Sequence, residues 1–435
     1  MHAVIGIRHE DKYLMERRTP ITPAHAEKLT GQHGIKVLVE TSPKRVFPDK
    51  EYSEVGAKVV STLKEASVIF GVKEIPATAF EENKTYVFFS HVIKGQPYNM
   101  PMLSKMMEIG CNLIDYERIV DDQNKRLIFF GKFAGLAGMI NSLWSAGQRL
   151  KELGYADNPF LDLKQSQHYA DLKEAKSAVS AVGRKIAENG LPAELQPFTI
   201  GFTGYGNVSI GAQEIANLLP SKEITPEQLT ELKNRKNIPD NIIYKVIFKE
   251  EHISKKKDGS AFELQDYYAH PEKYENDFEQ YIPHISILMN CMYWDTRYPR
   301  IVTKKFLKDL YSIGNPKLTV IGDVTCDPDG SIECTHKGTE IEDPVFVYDP
   351  ATDQPAMGFK GQGILVMAVD ILPSELPRDA SQAFADALFP FVKDIAAADY
   401  DVPTKELSLP GAIKKALILH KGKLTPDYQY IQEYL

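Results

Sequence analysis

Short, nearly unbroken apolar runs punctuate the first part of the chain: AVIGI, KVLVE, KVVS, SVIFGV and TYVFFS, with a helix starting over Pro23 to Thr30 after the first of them. Strands that carry no polar face and alternate with helices are what a parallel sheet covered on both sides requires. Residues 1 to about 135 therefore read as a first α/β unit. No repeat of fixed period is present, which removes solenoids and propellers.

From Phe133 to Gly154, apolar positions recur at helical spacing, small residues permit close packing, and the glycine can end the helix. This helix is expected to bridge two domains. A turn-rich stretch follows, then a helix over Ala170 to Asn189, then the strand-like FTIGF. KVIFK, ISILMNCMYW and KLTVIGDVT continue a second α/β unit, interrupted over 228 to 280 by polar segments (KNRKN, KKKDGS, HPEKYEND) that read as a surface elaboration. Beyond residue 340 come the strand-like FVYD and GILVMAVDIL, and a helix, DASQAFADALFPFVKDI, whose apolar spacing suits packing on the first unit. The fold class expected is α/β, with two Rossmann-like domains built on parallel sheets.

The 435-residue length exceeds what one core usually supports, which agrees with two domains. At 43% hydrophobic and 25% charged, the composition is that of a packed globular chain. A net charge of -8 provides no general attraction to phosphate backbones or anionic lipid, so neither nucleic acid nor membrane is an expected partner. Lys255, Lys256 and Lys257, followed by Asp258 and Gly259, read as a solvated turn. The N-terminus shows no signal peptide, and no apolar run is long enough to span a bilayer. Four cysteines, none in a CxxC pair, fit free thiols in a reducing cytoplasm, and the spacing of Cys326, Cys334 and His336 matches no zinc pattern.

The central motif is Gly204-Tyr205-Gly206-Asn207-Val208-Ser209, between FTIGF and a helix over Ala212 to Leu219. Strand, glycine turn and helix in that order aim backbone N–H groups and a helix N-terminus at a pyrophosphate. Ser209 stands where a GxGxxG fingerprint has its third glycine, with Gly211 two residues on, so packing there must differ. An acidic residue about 20 positions on, for a ribose hydroxyl, falls at Glu223 or Glu227, whereas Ser221 and Lys222 would suit a 2′-phosphate.

Lys73 and Glu74 close one strand of the first unit, His91 closes another, and Glu117 follows the strand NLID. Side chains at the C-terminal ends of parallel strands converge on the crevice where such sheets bind ligands. Arg17 and Arg18 could fork a carboxylate. Each has a plain structural reading as a strand-end ion pair or solvated face; together they suit acid/base work on a dicarboxylate. Asp323 and Asp327 end a strand of the second unit without the ligand alternation of a calcium loop, and one of them suits a nicotinamide ribose or a developing ammonium.

The segments GIRHEDKYLMERRTPITPAHAEKL, GVKE, YVFFSHVIKGQ, LIDYERIVDD, FFGKFAGLAGMINSLW, FTGYGNVSIGAQ, NCMYWDTRYPRIVT and GDVTCDPDGSIE resemble the lysine-2-oxoglutarate reductase half of bifunctional aminoadipic semialdehyde synthase, across nearly the whole chain. More distantly the chain is similar to fungal saccharopine dehydrogenase, alanine dehydrogenase and transhydrogenase. The resemblance implies a substrate domain of residues 1–135 and 341–435 with a dinucleotide domain of 136–340 inserted. It implies an acid/base pair of Lys73 and His91 tuned by Glu74 and Glu117, Arg18 and Gln96 on substrate, with Arg17 nearby, and Asp327 beside the nicotinamide. It implies the condensation of L-lysine with 2-oxoglutarate to saccharopine, with NADP(H) favoured and NAD(H) as the alternative, and no second, glutamate-forming activity in this chain. The alternatives are an alanine dehydrogenase-type enzyme and a non-catalytic NAD(P) sensor. The sequence leaves an oligomer open.

Overall fold

The apolar runs of the first part become β1 (Val4–Ile7), β2 (Lys36–Glu40), β3 (Lys58–Val60), β4 (Val68–Phe70), β5 (Thr85–Phe88) and β6 (Asn112–Asp115) in the computed structural model, which describes residues 3–234, 238–314 and 316–435. These six are mutually parallel, and two strands from the end of the chain, β17 (Leu417–His420) and β18 (Lys423–Leu424), extend the sheet antiparallel beyond β6. The order is β18-β17-β6-β5-β4-β1-β2-β3. Every residue of β4, β5 and β6 is buried, as a sheet covered on both faces demands. Burying side chains such as Val68, Ile69 and Phe70 stabilises by about 1.5–3 kcal/mol each. Helix Pro23–His33 begins with proline in its first turn and ends at Gly34 in the left-handed region (φ 63°), and it packs on helix Pro377–Ala397.

The second sheet comprises β7 (Thr199–Thr203), β8 (Ser221–Glu223), β9 (Ile243–Phe248), β12 (Ile287–Asn290), β13 (Val320–Asp323), β14 (Val345–Asp349), β15 (Gln354–Met357) and β16 (Ile364–Met367). Its order is β15-β14-β16-β13-β12-β7-β9-β8, parallel except at β14 and β15. A separate antiparallel ribbon joins β10 (Ser254–Lys256) to β11 (Tyr274–Asn276).

Compact units run Met1–Phe130 with Pro377–Leu435, and Gly131–Leu376. This differs from the expected return to the first unit at residue 341. FVYD and GILVMAVDIL are strands as read, but Leu365 pairs with Val320 in the second sheet, so the chain returns only at Pro377. The helix expected to bridge domains spans Gly131–Glu152 and belongs wholly to the second unit, packed along helix Asn207–Ala216. Lys255 and Lys256 lie in the ribbon instead of a turn, which comes at Gly259 (φ 76°). Of KNRKN, residues 235–237 lie outside the described residues. Among the described residues no helix is long and apolar enough to cross a membrane.

Candidate active site

Four loops leave the C-terminal ends of β1, β4, β5 and β6, and they gather most of the ionisable residues read from the sequence. Glu74, after β4, is 8% exposed. Its Oε1 lies 2.8 Å from Nδ1 of His91 and 2.6 Å from Nζ of Lys12, while Oε2 is buried without a partner among the described residues. Burial alone would raise this carboxyl, but the His91 bond and the Lys12 ammonium outweigh it and hold it down at about 2. His91 adopts φ 50°, a left-handed backbone that costs a non-glycine residue of order 1–3 kcal/mol and recurs where a side chain is held for use. Its ring stacks on Phe89.

The loop after β1 carries two carboxylates that periodicity did not reveal. Glu10 is 5% exposed and accepts the backbone N–H groups of Val72 (2.7 Å) and Lys73 (2.9 Å). Burial, then the Glu16 charge, push it up to about 7 against those bonds. Glu16 is fully buried; burial pushes it up, but the Arg18 guanidinium, with help from the Lys73 charge, brings it below the usual range. Lys73 is half-buried, its Nζ 5.9 Å from the Tyr13 ring centroid. Lys73, Glu74 and His91 are thus brought together, along with Glu10, Lys12 and Glu16.

The remaining residues are held elsewhere. Arg18, expected on a substrate carboxylate, forks onto Glu16 (2.8 and 2.5 Å) and lies over the Phe130 ring at 4.1 Å. Arg17 donates from Nε to the Lys44 carbonyl at 3.4 Å. Glu117 is engaged by Arg126, while its backbone N–H donates to the buried Asp115. Gln96 has its side-chain carbonyl buried without a partner among the described residues. The signal that would have found Glu10 and Glu16 is the one that found Lys73, since both follow a parallel strand within one short loop.

In the second unit, β7 runs into Gly204 (φ 80°), where a Cβ would stand 3.1 Å from the Met292 backbone. Gly206 caps helix Asn207–Ala216 with no side-chain bond, and the space where its Cβ would point is open. The first-turn N–H groups of Asn207, Val208 and Ser209 therefore remain available to an anion. Ser209 is buried and its hydroxyl accepts from Gln213 at 2.9 Å. The packing role of a third glycine has moved to Gly211, where a Cβ would stand 2.1 Å from the Lys132 carbonyl oxygen, and to Gly135 opposite, 1.8 Å from that of Val208. A backbone that closes on open space fits a pyrophosphate.

The expected ribose position needs correction. Glu223 ends β8 and Glu227 lies in the short helix after it, but β8 is the sheet edge; the strand beside β7 is β9, and its end carries Lys249 and Glu250. Glu250 accepts from the Tyr268 hydroxyl at 2.6 Å and, with Tyr205, Tyr268, Met292 and Tyr293, walls a cavity of about 320 Å³ beside the glycine turn. Asp327 is exposed after β13, whereas Asp323 is fully buried, accepting from Asn290, Thr325 and Thr335 at 2.8, 2.7 and 2.6 Å, and burial raises it. The four cysteines are free and buried.

A doubly wound unit with a glycine turn open at a helix N-terminus, and a second α/β unit with a cluster of ionisable side chains at its strand ends, define the class of Rossmann-like two-unit α/β proteins. Residues 6–137 match the family model "Alanine dehydrogenase/PNT, N-terminal domain" and residues 269–427 match "Alanine dehydrogenase/PNT, C-terminal domain", and the chain belongs to this family.

Among relatives, alpha-aminoadipic semialdehyde synthase of Arabidopsis thaliana is 40% identical over 99% of this chain and 41% of its own length. The mitochondrial alpha-aminoadipic semialdehyde synthase of Mus musculus is 35% identical over 99% of this chain and 48% of its own. The chain thus spans less than half the length of either. Saccharopine dehydrogenase [NAD(+), L-lysine-forming] of Yarrowia lipolytica is 27% identical over 91% of this chain and 93% of its own. An L-alanine dehydrogenase structure covers 99% of this chain and 100% of its own at 19% identity and a TM-score of 0.63, which establishes the shared fold.

Proposed function

We propose that the chain catalyses the reductive condensation of L-lysine with 2-oxoglutarate to saccharopine, with release of water and oxidation of a reduced nicotinamide nucleotide. The observation that carries this reading is the Glu74 carboxylate shared between His91 and Lys12 beside Lys73, because imine formation and reduction require several proton transfers at one carbon–nitrogen bond. The names of the relatives support the substrate class.

In this reading Glu74 holds Nδ1 of His91, which leaves Nε2 to exchange protons with the ketone-derived oxygen and the substrate nitrogen. The Lys73 amine, placed by its own backbone bond to Glu10, serves as the second acid/base group. Gln96, with its unpaired carbonyl, meets the substrate ammonium. Arg18, held in place by Glu16 and Phe130, and Arg17 supply charge for the substrate carboxylates, and Glu117 tunes the cluster through Asp115. The nicotinamide nucleotide, when bound, supplies the hydride. Gly204, Tyr205, Gly206, Asn207, Val208 and Ser209 would hold its pyrophosphate, and Asp327 would serve its ribose.

The resemblance to the bifunctional enzyme favours NADP(H), with Lys249 as the cation for a 2′-phosphate. A specific observation favours NAD(H): Glu250 stands two residues beyond the strand beside the fingerprint, where a carboxylate bonds ribose hydroxyls and repels phosphate.

The test is oxidation of NADPH and of NADH by purified protein with 2-oxoglutarate, adding lysine or ammonium. Lysine-dependent oxidation is expected. Activity with ammonium alone would place the chain with amino-acid dehydrogenases that take free ammonia, and inactivity with both would leave nucleotide sensing as the reading.

A further inference from the structure

The nucleotide-type turn lies where strands end; a second cavity lies where the same strands begin. Phe198, Ser286, Thr319 and Gly363 immediately precede β7, β12, β13 and β16, and all four line a cavity of about 370 Å³. Because these strands are parallel, the cavity sits at the opposite edge of the sheet from Gly204. Its volume is in the range that takes a small molecule.

Two cations reach this cavity. Arg149, from helix Gly131–Glu152, is 2% exposed. Its terminal nitrogens donate to the carbonyls of Phe359 (2.7 Å), Gly361 (2.9 Å) and Gly363 (2.8 Å), and its Nε is buried without a partner among the described residues. Lys317, half-buried before β13, has no ion-pair partner among the described residues, nor has Arg149. Burial, with no opposing charge, pulls Lys317 down to about 8. The other titratable groups in the lining are Tyr311, from helix Lys304–Ser312, whose hydroxyl burial pushes up, Tyr155, and Glu194, which is exposed. Burying two cations with no ion pair among the described residues is costly, and a bound anion would offset that cost. Leu150, Leu195, Phe198 and Leu318 make the rest of the wall apolar.

We propose that this cavity binds a small organic anion, its carboxylate or phosphate head between Arg149 and Lys317 and its apolar part against Leu150, Leu195, Phe198 and Leu318. The site is separate from the glycine turn and stands whether or not the proposed reaction is correct.

Calorimetric titration of the full chain with hexanoate and with phenyl phosphate, alone and in saturating NADH, tests it, with 1-hexanol as the uncharged control. Saturable binding of one or both anions at or below about 1 mM is expected, unaffected by NADH and without binding of the alcohol. Whichever anion binds more tightly names the head group. Lys317→Met should weaken binding roughly tenfold or more, and Lys317→Arg should retain it. Absence of saturable binding, displacement by NADH, equal binding of the alcohol, or loss of binding in Lys317→Arg as complete as in Lys317→Met would each overturn the proposal.

Discussion

The Glu74 carboxylate oxygen sits 2.8 Å from Nδ1 of His91 and the same atom lies 2.6 Å from the Lys12 ammonium, so one oxygen orients the imidazole and is itself kept ionised with the help of a lysine. Burial and pairing act on it in opposite directions, and pairing wins, holding the group at about 2. A carboxyl lowered on folding contributes stability that is present above its unfolded value near 4.5 and lost as pH falls through about 2. Glu74→Gln should therefore flatten the acid limb of the stability curve, by about 1–3 kcal/mol, when urea unfolding is followed between about pH 5 and pH 2. An unaltered limb would mean that the pair is not formed in solution.

Lys73 sits in the same cluster, and its backbone N–H donates to Glu10 at 2.9 Å, a bond that a side-chain substitution leaves in place. Lys73→Met should lower turnover by roughly two or more orders of magnitude while nucleotide affinity, read by fluorescence titration, stays near that of the parent. A near-parental rate would remove it from the acid/base role.

Arg18 and Glu16 are 4% and 0% exposed, and removing Arg18 takes away the main group that holds the buried Glu16 carboxylate ionised. Arg18→Ala should cost about 3–5 kcal/mol in urea unfolding, and the double variant with Glu16→Gln should recover most of it. Additive losses in the double variant would show that the pair is not coupled.

The strands were legible because buried parallel strands announce themselves as unbroken apolar runs: VIF, TYVF and ILVM each became a fully buried strand. What such runs do not carry is which sheet they join. ILVM belongs with the second sheet through Leu365 beside Val320, a pairing between positions far apart in the chain, and no local pattern encodes it. The same limit hid Glu250: counting about 20 residues from the glycine turn assumes that the next strand in sequence is the next in space, whereas β8 passes to the edge and β9 takes the neighbouring place. Lys73, Glu74 and His91 were legible as strand-end residues. The burial of Glu10 and Glu16 was not, because HEDKYLMER has the polarity of an exposed loop and its carboxylates are drawn inward by backbone N–H groups and by Arg18.

Glu375 is 2% exposed and accepts from the Asn141 amide at 2.7 Å and the Gln167 backbone at 3.3 Å. Burial dominates and pushes it up to about 8, so the folded chain keeps a proton that the unfolded chain releases near 4.5. Its contribution is complete below that lower value and is lost as pH rises through about 8. Stability should fall across this window, and Glu375→Gln should reduce the slope, as denaturant midpoints at about pH 5, 7 and 9 would reveal. Parallel curves for the two proteins would mean that Glu375 is ionised in the fold.

Gly206 and Gly211 separate binding from folding within one short segment. A Cβ at Gly206 points into open space at the helix N-terminus, whereas one at Gly211 would stand 2.1 Å from the backbone oxygen of Lys132, far inside contact distance. Gly206→Ala should keep the unfolding midpoint and weaken NADH or NADPH binding, because its methyl occupies the approach that the pyrophosphate needs. Gly211→Ala should instead force helices Asn207–Ala216 and Gly131–Glu152 apart and lower stability by several kcal/mol, since the obstacle is backbone that no rotamer change relieves. Nucleotide titration and thermal unfolding of both variants distinguish the two effects; a Gly206→Ala protein that binds nucleotide like the parent would place the pyrophosphate away from this turn.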